Sequence, residues 1–372
     1  MTIKSTGSLS FLNDIESEFG DTSTRSLGSY RSSDSNFQNK NVGTLSNLPL
    51  DDGIPTSGEI KFSDFYGKKL NMVVDYYSGG TEIKRDLGAT TMNARNRYNN
   101  QPSKVTVVGG FRARPALNAW QGGKRVIVNV NKKIGGNKDG DAHDVALRTG
   151  DWPGGTELQV EIGANGKILG AGGDGGNPST YIHSPPTPGF PGGNGTSALG
   201  VEYPAVINNN GVLRCGFGGG GGGSGGAIDP NSSPTDYGRT GSGGGGGAGL
   251  PAGVGGSKSG QSWRTGSFHP GGDEDTPTGQ SYNGKAGENG TEDTGGSGGD
   301  VFPYDPGGSV FVRGGKGGNG GDEVDPPQSG GTAEQSHPTS SYAAAKPGGA
   351  AGNNGKSIYY TNSSVQAGST LI

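Results

Sequence analysis

Glycine limits what this chain can fold into more than any other residue does. It supplies 80 of 372 residues, and sixty of those fall in the last 210, against an ordinary share of about 7 percent. Dense runs lie at residues 216–226, 243–247 and 295–299, with looser blocks at 170–176 and 314–321. Glycine adds no side chain to a core and loses more conformational freedom on ordering than any other residue. Such a segment stays unfolded unless its backbone amides bond one another extensively.

Three states can hold these runs. Collagen needs glycine at every third position and abundant proline, whereas proline here is only 22 of 372. A glycine–serine linker lacks strand formers and large aromatics, yet Tyr181, Phe190, Phe217, Trp263, Phe268, Tyr282, Phe302 and Tyr304 interrupt this one. Packed extended helices with three residues per turn and a rise of about 3.1 Å account for both features. They point N–H and C=O groups sideways at neighbours, and a Cβ would hold those neighbours apart. The expectation is a bundle of polyglycine II helices.

A repeated phrase supports order. Leu158, Val160 and Ile162 alternate as a strand, Asn165-Gly166 turns the chain, and Lys167, Ile168 and Leu169 lead into glycine. Val206-Ile207, Asn210-Gly211 and Val212 to Arg214 repeat the phrase before the next run, and residues 309–321 hold a looser copy. Further forward, Val105 to Val108 and the alternating Val126, Val128 and Val130 read as strands. The Gly and Asn clusters between strands, including Gly135-Gly136-Asn137, are expected to supply positive-φ turns. Together they predict a small β-sandwich over 70–162.

The first 69 residues differ again. Phe11, Ile15 and Phe19 recur at four-residue spacing, with Ser10 placed to cap and Gly20 to stop a short amphipathic helix. A related phrase returns at 57–67. After one insertion Gly7, Leu9, Phe11, Asp14 and Ile15 align with Gly58, Ile60, Phe62, Asp64 and Phe65. The polar stretch between, 21–56, is too poor in apolar residues to carry its own core and is expected to lie along another protein.

Charge and motifs exclude more than they suggest. Residues 1–162 hold 20 basic and 18 acidic side chains, and the remainder 10 and 16, with no basic stripe; nucleic-acid binding is not expected. No apolar run reaches the roughly 18 residues of a membrane helix, and the N-terminus lacks a signal-peptide pattern. Neither secretion nor membrane insertion is expected. The lone Cys215 reads as a structural thiol, and His143, His183, His269 and His337 show neither zinc spacing nor a nucleophile signature. Residues 350–357 end like a phosphate loop but begin with Ala350 where glycine belongs. Asp139, Asp141 and Asp144, like Asp273, Glu274 and Asp275, lack the calcium-loop pattern and read as solvated turns. No catalytic residue, metal site or cofactor is expected. Paired carboxylates assembled from distant positions leave a polysaccharide depolymerase as a minor alternative.

The runs after Asn165 and Asn210 resemble the glycine-rich domain of T-even-like phage tail-fibre adhesins. Residues 7–20 and 54–67 resemble an attachment segment in tail proteins of marine and cyanobacterial phages. The resemblance implies a virion tail protein with an attachment segment over 1–69 and a receptor-binding tip over 163–372; with the β-sandwich over 70–162, read from the residues alone, the chain is expected to be mainly β with irregular glycine-rich structure. It implies other tail or baseplate proteins as partners of the N-terminus, and a host surface glycan or outer-membrane protein as partner of the C-terminal loops. Aromatic residues between glycine blocks offer stacking faces with polar handles. Tyr181, His183, Trp263, Phe268, His269, Tyr282, Phe302 and Tyr304 are therefore the receptor-contact candidates. Phe11, Ile15, Phe19, Phe62, Phe65 and Tyr66 are the virion-attachment candidates. The competing reading is a purely structural tail component, with the glycine slab as rigid spacer or plug.

Overall fold

The computed structural model describes residues 3–16, 26–30, 54–55, 57–68, 71–76, 82–83, 85–86, 104–108, 125–138, 145–150, 152, 154–179, 188–228, 237–239, 241–258, 261–264, 267–270, 284–301, 312–335 and 346–372. The chain is mainly β. Its apolar alternations stack in parallel rather than closing into two facing antiparallel layers. β1 (Asn71–Tyr76), β5 (Arg125–Val130), β8 (Glu157–Ile162), β11 (Ala205–Asn209) and β20 (Thr370–Leu371) lie parallel in one sheet, with β4 (Lys104–Val108) antiparallel on the β1 edge. A second parallel sheet holds β2 (Glu82–Ile83), β6 (Lys133–Gly135), β9 (Lys167–Leu169) and β12 (Val212–Arg214). A third holds β3 (Arg85–Asp86), β7 (Val145–Arg148), β10 (Ser197–Val201) and β19 (Ile358–Tyr360).

The chain visits the three sheets in turn, so each circuit adds one strand to each: a three-faced parallel coil. The expected sandwich is therefore not what residues 70–162 form, since sandwich sheets are antiparallel. The coil also runs on past residue 162 into β9 to β12. Alternation reports that one strand face is buried; it does not report the direction of the neighbouring strand. Successive circuits stack like on like, Val126 on Leu158 on Ala205 and Val128 on Val160 on Ile207. These join Leu147, Trp152, Ile168 and Leu199 in one buried cluster. The helix α1 (Ser363–Ala367) adds Val365 to that cluster, its first turn capped by the Asn362 carboxamide accepting from the Val365 amide.

The repeated strand–turn–strand phrase is one circuit of this coil: Val160 pairs with Ile207 and Ile168 with Leu213. The looser third copy is not a circuit, because β17 (Val312–Arg313) pairs antiparallel with β18 (Glu334–Gln335). Gly166, Gly211 and Gly136 are not in the left-handed region. A Cβ on Gly166 would instead strike the Val130 carbonyl, one on Gly211 the Gly166 carbonyl and one on Gly136 the Ala171 amide. These corners need glycine for closeness, not for φ.

Glycine-rich chain leaves the coil twice, at 170–196 between β9 and β10 and at 215–357 between β12 and β19. Residues 216–224 lie buried at its centre. Their amides donate in a cycle of three. Residues 216, 219 and 222 bond the carbonyls of Thr196, Gly193 and Phe190; residues 217, 220 and 223 bond those of Ala248, Gly245 and Ser242. Gly221 and Ser224 bond Gln328 and Gly331, and Gly218 bonds the Asn354 side chain. Their carbonyls accept in the same cycle from Gly355, Gly352 and Gly349, from Gly173, Gly176 and Ser179, and from Gly321, Gly318 and Gly315. Every amide and carbonyl of the nine is satisfied by a neighbouring segment. A Cβ on Gly219, Gly220, Gly222 or Gly223 would come closer than 3.0 Å to a neighbour's backbone.

Two smaller parts stand beside the coil and the stack among the described residues. β13 (Gly226–Ile228), β14 (Tyr237–Arg239), β15 (Gln261–Arg264) and β16 (Ser267–Pro270) form a four-stranded antiparallel sheet. Near the N-terminus, Ile3, Ile15, Tyr30, Ile54 and Phe65 form a hydrophobic cluster of their own.

Gly220→Ala should lower unfolding stability by at least about 2 kcal/mol, because the new methyl meets fixed backbone. Gly154, with nothing within 4 Å of an added Cβ, should accept Ala within about 0.5 kcal/mol. Denaturant titration of both variants checks this, and equal effects would rule out steric necessity at the centre.

Candidate functional site

The N-terminal phrases fold as a matched pair. Gly7 and Gly58 both take positive φ, 90° and 76°. The Asp14 carboxylate accepts from the Ser10 amide at 2.6 Å and the Asp64 carboxylate from the Lys61 amide at 2.7 Å. Each bond closes a short helical turn, Phe11–Glu16 and Phe62–Phe65. The Ser10 amide, and then the Lys4 ammonium 3.1 Å away, hold the Asp14 carboxyl below its ordinary range. The Ser10 hydroxyl also accepts from the Asn13 amide, the expected capping role.

Ile15 and Phe65, equivalent in the two phrases, are both fully buried. Phe11 and Phe62, also equivalent, meet edge to face with centroids 6.2 Å apart. The module's ends close on each other through Ile3 to Lys68 and Gly67 to Lys4 backbone bonds, and the Tyr66 hydroxyl donates to the Gly7 carbonyl. Of the attachment candidates, Ile15 and Phe65 thus make the core, Phe11 is half-buried, Tyr66 ties the phrases and Phe62 is 42% exposed. Phe19 lies outside the described residues. Leu12, 50% exposed beside Phe11, was not a candidate, because it breaks the four-residue spacing.

The glycine stack has two unlike ends. At one, tight turns rest on the coil: the Gly136 amide bonds the Leu250 carbonyl, and Lys133 and Lys167, register partners on β6 and β9, reach Glu292 at 2.5 and 2.7 Å. Arg214 bonds the Glu292 carbonyl at 2.6 Å and the Asp293 carboxylate at 2.8 Å. Burial works against charge on Glu292, but the two lysines outweigh it and hold its carboxyl below the ordinary range. Sequence spacing carries no signal for partners 159 residues apart.

At the other end lie the residues flanking the long connections. Ser179 bonds Gly223, Gly223 bonds Ser242, Gly315 bonds Ser224, Ser224 bonds Gly331, Gly243 bonds Lys285 and Lys285 bonds Asp300. Segments 180–187, 302–311 and 336–345 are flanked on both sides by residues of this end, and 271–283 leads into it at Gly284. Tyr181, His183, Tyr282, Phe302 and Tyr304 fall in those segments, outside the described residues. Trp263, Phe268 and His269 lie in β15 and β16, where Trp263 faces Phe268 and Ser262 faces His269 in register. Phe217 is buried in the stack. Cys215 is half-buried, and burial pushes its thiol up. Among the described residues no cluster of three or more His, Cys, Asp or Glu is placed to hold a metal ion, and no helix is long and apolar enough to cross a membrane.

The chain belongs to the phage tail fibre adhesin Gp38 family, whose model matches residues 91–371. It is a virion tail component, a receptor-binding adhesin. Among solved structures, the crystal structure of the gp37-gp38 adhesin tip complex of the bacteriophage S16 long tail fiber is similar at 18% identity, over 86% of this chain and 88% of that one, with a TM-score of 0.25. No curated protein matches the sequence. The family match begins after the paired N-terminal phrases.

Glu292 makes the join between stack and coil acid-sensitive. Its folded pKa is depressed, so its contribution is complete above its ordinary value of 4.5 and is lost as pH falls through the lower folded value. Glu292→Gln should melt below the unaltered protein at neutral pH, with the gap closing under acid. A gap that stays constant from about pH 7 to pH 3 would remove Glu292 from the join.

Proposed function

We propose that this adhesin contacts the host through the connections gathered at the end of a polyglycine II bundle remote from the coil, and joins the virion through its N-terminal module. It acts by binding, without chemistry. The observation that carries this reading is the convergence of the long connections on one end of a stack whose lateral bonds recur every three residues. That periodicity is what a bundle of three-residue-per-turn helices requires. A bundle cross-bonded on all sides gives loops a fixed platform, and a preorganised platform lowers the ordering cost of binding.

The partners follow from position. The exposed Phe62 and Leu12, beside Phe11, form the apolar patch offered to another tail or baseplate protein. The host partner is a surface glycan or outer-membrane protein, met by the connections that hold Tyr181, His183, Tyr282, Phe302 and Tyr304. Ile15 and Phe65 act indirectly, by holding the module together.

Purified chain should block phage adsorption in proportion to its own binding to host cells. Failure to bind or compete would favour the spacer reading, and release of reducing ends from host polysaccharide would favour the depolymerase. For the other end, Phe62→Asp should cut incorporation into virions at least about tenfold with an unchanged melting temperature. Incorporation at the normal level would remove the patch from attachment.

A further inference from the structure

Asparagine followed by glycine is a chemically weak point in any chain, because no side chain shields the glycine nitrogen from the carboxamide before it. The sequence holds seven such pairs, at Asn165, Asn194, Asn210, Asn283, Asn289, Asn319 and Asn354. Asn283 lies outside the described residues. Reaction requires the glycine nitrogen to lose its proton and reach the asparagine Cγ, so a hydrogen bond that holds either group slows it.

Four of the pairs lie in the glycine stack, and there both groups are held. The amides of Gly195, Gly290, Gly320 and Gly355 donate to the carbonyls of Asn353, Gly253, Gly296 and Gly216 at 2.8 to 2.9 Å. The carboxamide oxygens of Asn194, Asn289, Asn319 and Asn354 accept from the amides of Asn353, Gly255, Gly298 and Gly218, again at 2.8 to 2.9 Å. Two further pairs form corners of the coil. At Asn165 the Gly166 amide donates to the Gly163 carbonyl at 2.7 Å, and Gly166 is buried. At Asn210 the Gly211 amide meets the Asn209 carboxamide at 3.2 Å, the long end of the ordinary range. Asn210 is exposed, and among the described residues nothing bonds its carboxamide.

We propose that Asn210 is a site of spontaneous covalent modification, closing onto Gly211 as a succinimide that water opens to isoaspartate. The Gly211 nitrogen, its proton lost to solvent base, bonds to Cγ of Asn210. The bond from Cγ to Nδ2 breaks, and the side-chain amide leaves as ammonia. Water then adds at the backbone carbonyl carbon of Asn210 and breaks its bond to the ring nitrogen, so that the chain runs on through Cγ; addition at Cγ instead gives aspartate. Isoaspartate lengthens the turn between β11 and β12 by one backbone carbon and adds a negative charge. The corner has no room for it, since a Cβ on Gly211 would already strike the Gly166 and Gly163 carbonyls. The modification therefore loosens β12 from its register on β9, and with it Arg214, which holds the acidic turn of the stack.

The test incubates the full chain in warm, mildly alkaline buffer, folded and in denaturant, and maps isoaspartate by peptide mass spectrometry and by isoaspartyl methyltransferase labelling. In the folded chain Asn210 should be modified at least about tenfold faster than Asn194, Asn289, Asn319 and Asn354, whose reaction waits for opening of the stack. In denaturant all five should react at similar rates. Aged chain should melt below fresh chain, and Asn210→Gln should remove most of that loss. Fresh Asn210→Asp, which adds the charge without the extra carbon, should melt near the unaltered protein. Equal rates at Asn210 and the stack positions in the folded chain overturn the proposal, as does an unmodified Asn210 while the denatured chain reacts. An equal loss of melting temperature on ageing in Asn210→Gln places the damage elsewhere and overturns the effect on β12.

Discussion

The lateral hydrogen bond between glycine backbones is the interaction on which the rest of the molecule depends. It forms only where no Cβ intervenes, and at the centre of the stack an added methyl would meet fixed carbonyls on several sides. Each bond contributes little by itself. The larger effect is that no buried amide or carbonyl across residues 216–224 is left unpaired, which removes a desolvation cost that would otherwise unfold the segment. The entropy lost in ordering glycine is offset only collectively, so the stack needs many mutually bonded segments.

Backbone bonding alone does not define register, since sliding one glycine segment by three residues restores the same bonds. The coil supplies what glycine lacks. The chain enters and leaves the stack from β9, β10, β12 and β19, whose side chains have one register set by the buried cluster. Side chains at the rim add further marks. Asn289, Asn319 and Asn194 present carboxamide oxygens to the amides of Gly255, Gly298 and Asn353, and Asn177 does the same for Ser257. The glycine stack and the coil are therefore one design: a side-chain core that indexes a backbone core.

The stack could be read from composition, because one chemical requirement, absence of Cβ, writes itself into the sequence as glycine. The circuit of the coil could be read as a repeated phrase, but not as a coil. Strands of three residues such as Lys133–Gly135 are too short to show a period, and alternation is the same in sandwich and coil. The pairing of Gly7 with Gly58 and of Asp14 with Asp64 was visible as an alignment, and both pairs play equal parts in the folded module. The division between Phe65, which is core, and Phe62, which is surface, was not visible, since aromatic identity carries no direction.

Hydrogen exchange of the amides of residues 216–224 in the full chain tests the bonded stack most directly. Those amides should exchange only by opening of the whole stack, with protection approaching that of the coil strands around Val128 and Val160. Exchange at random-coil rates, while the coil stays protected, would mean that the glycine segments are not bonded to one another and that no platform exists to present the loops.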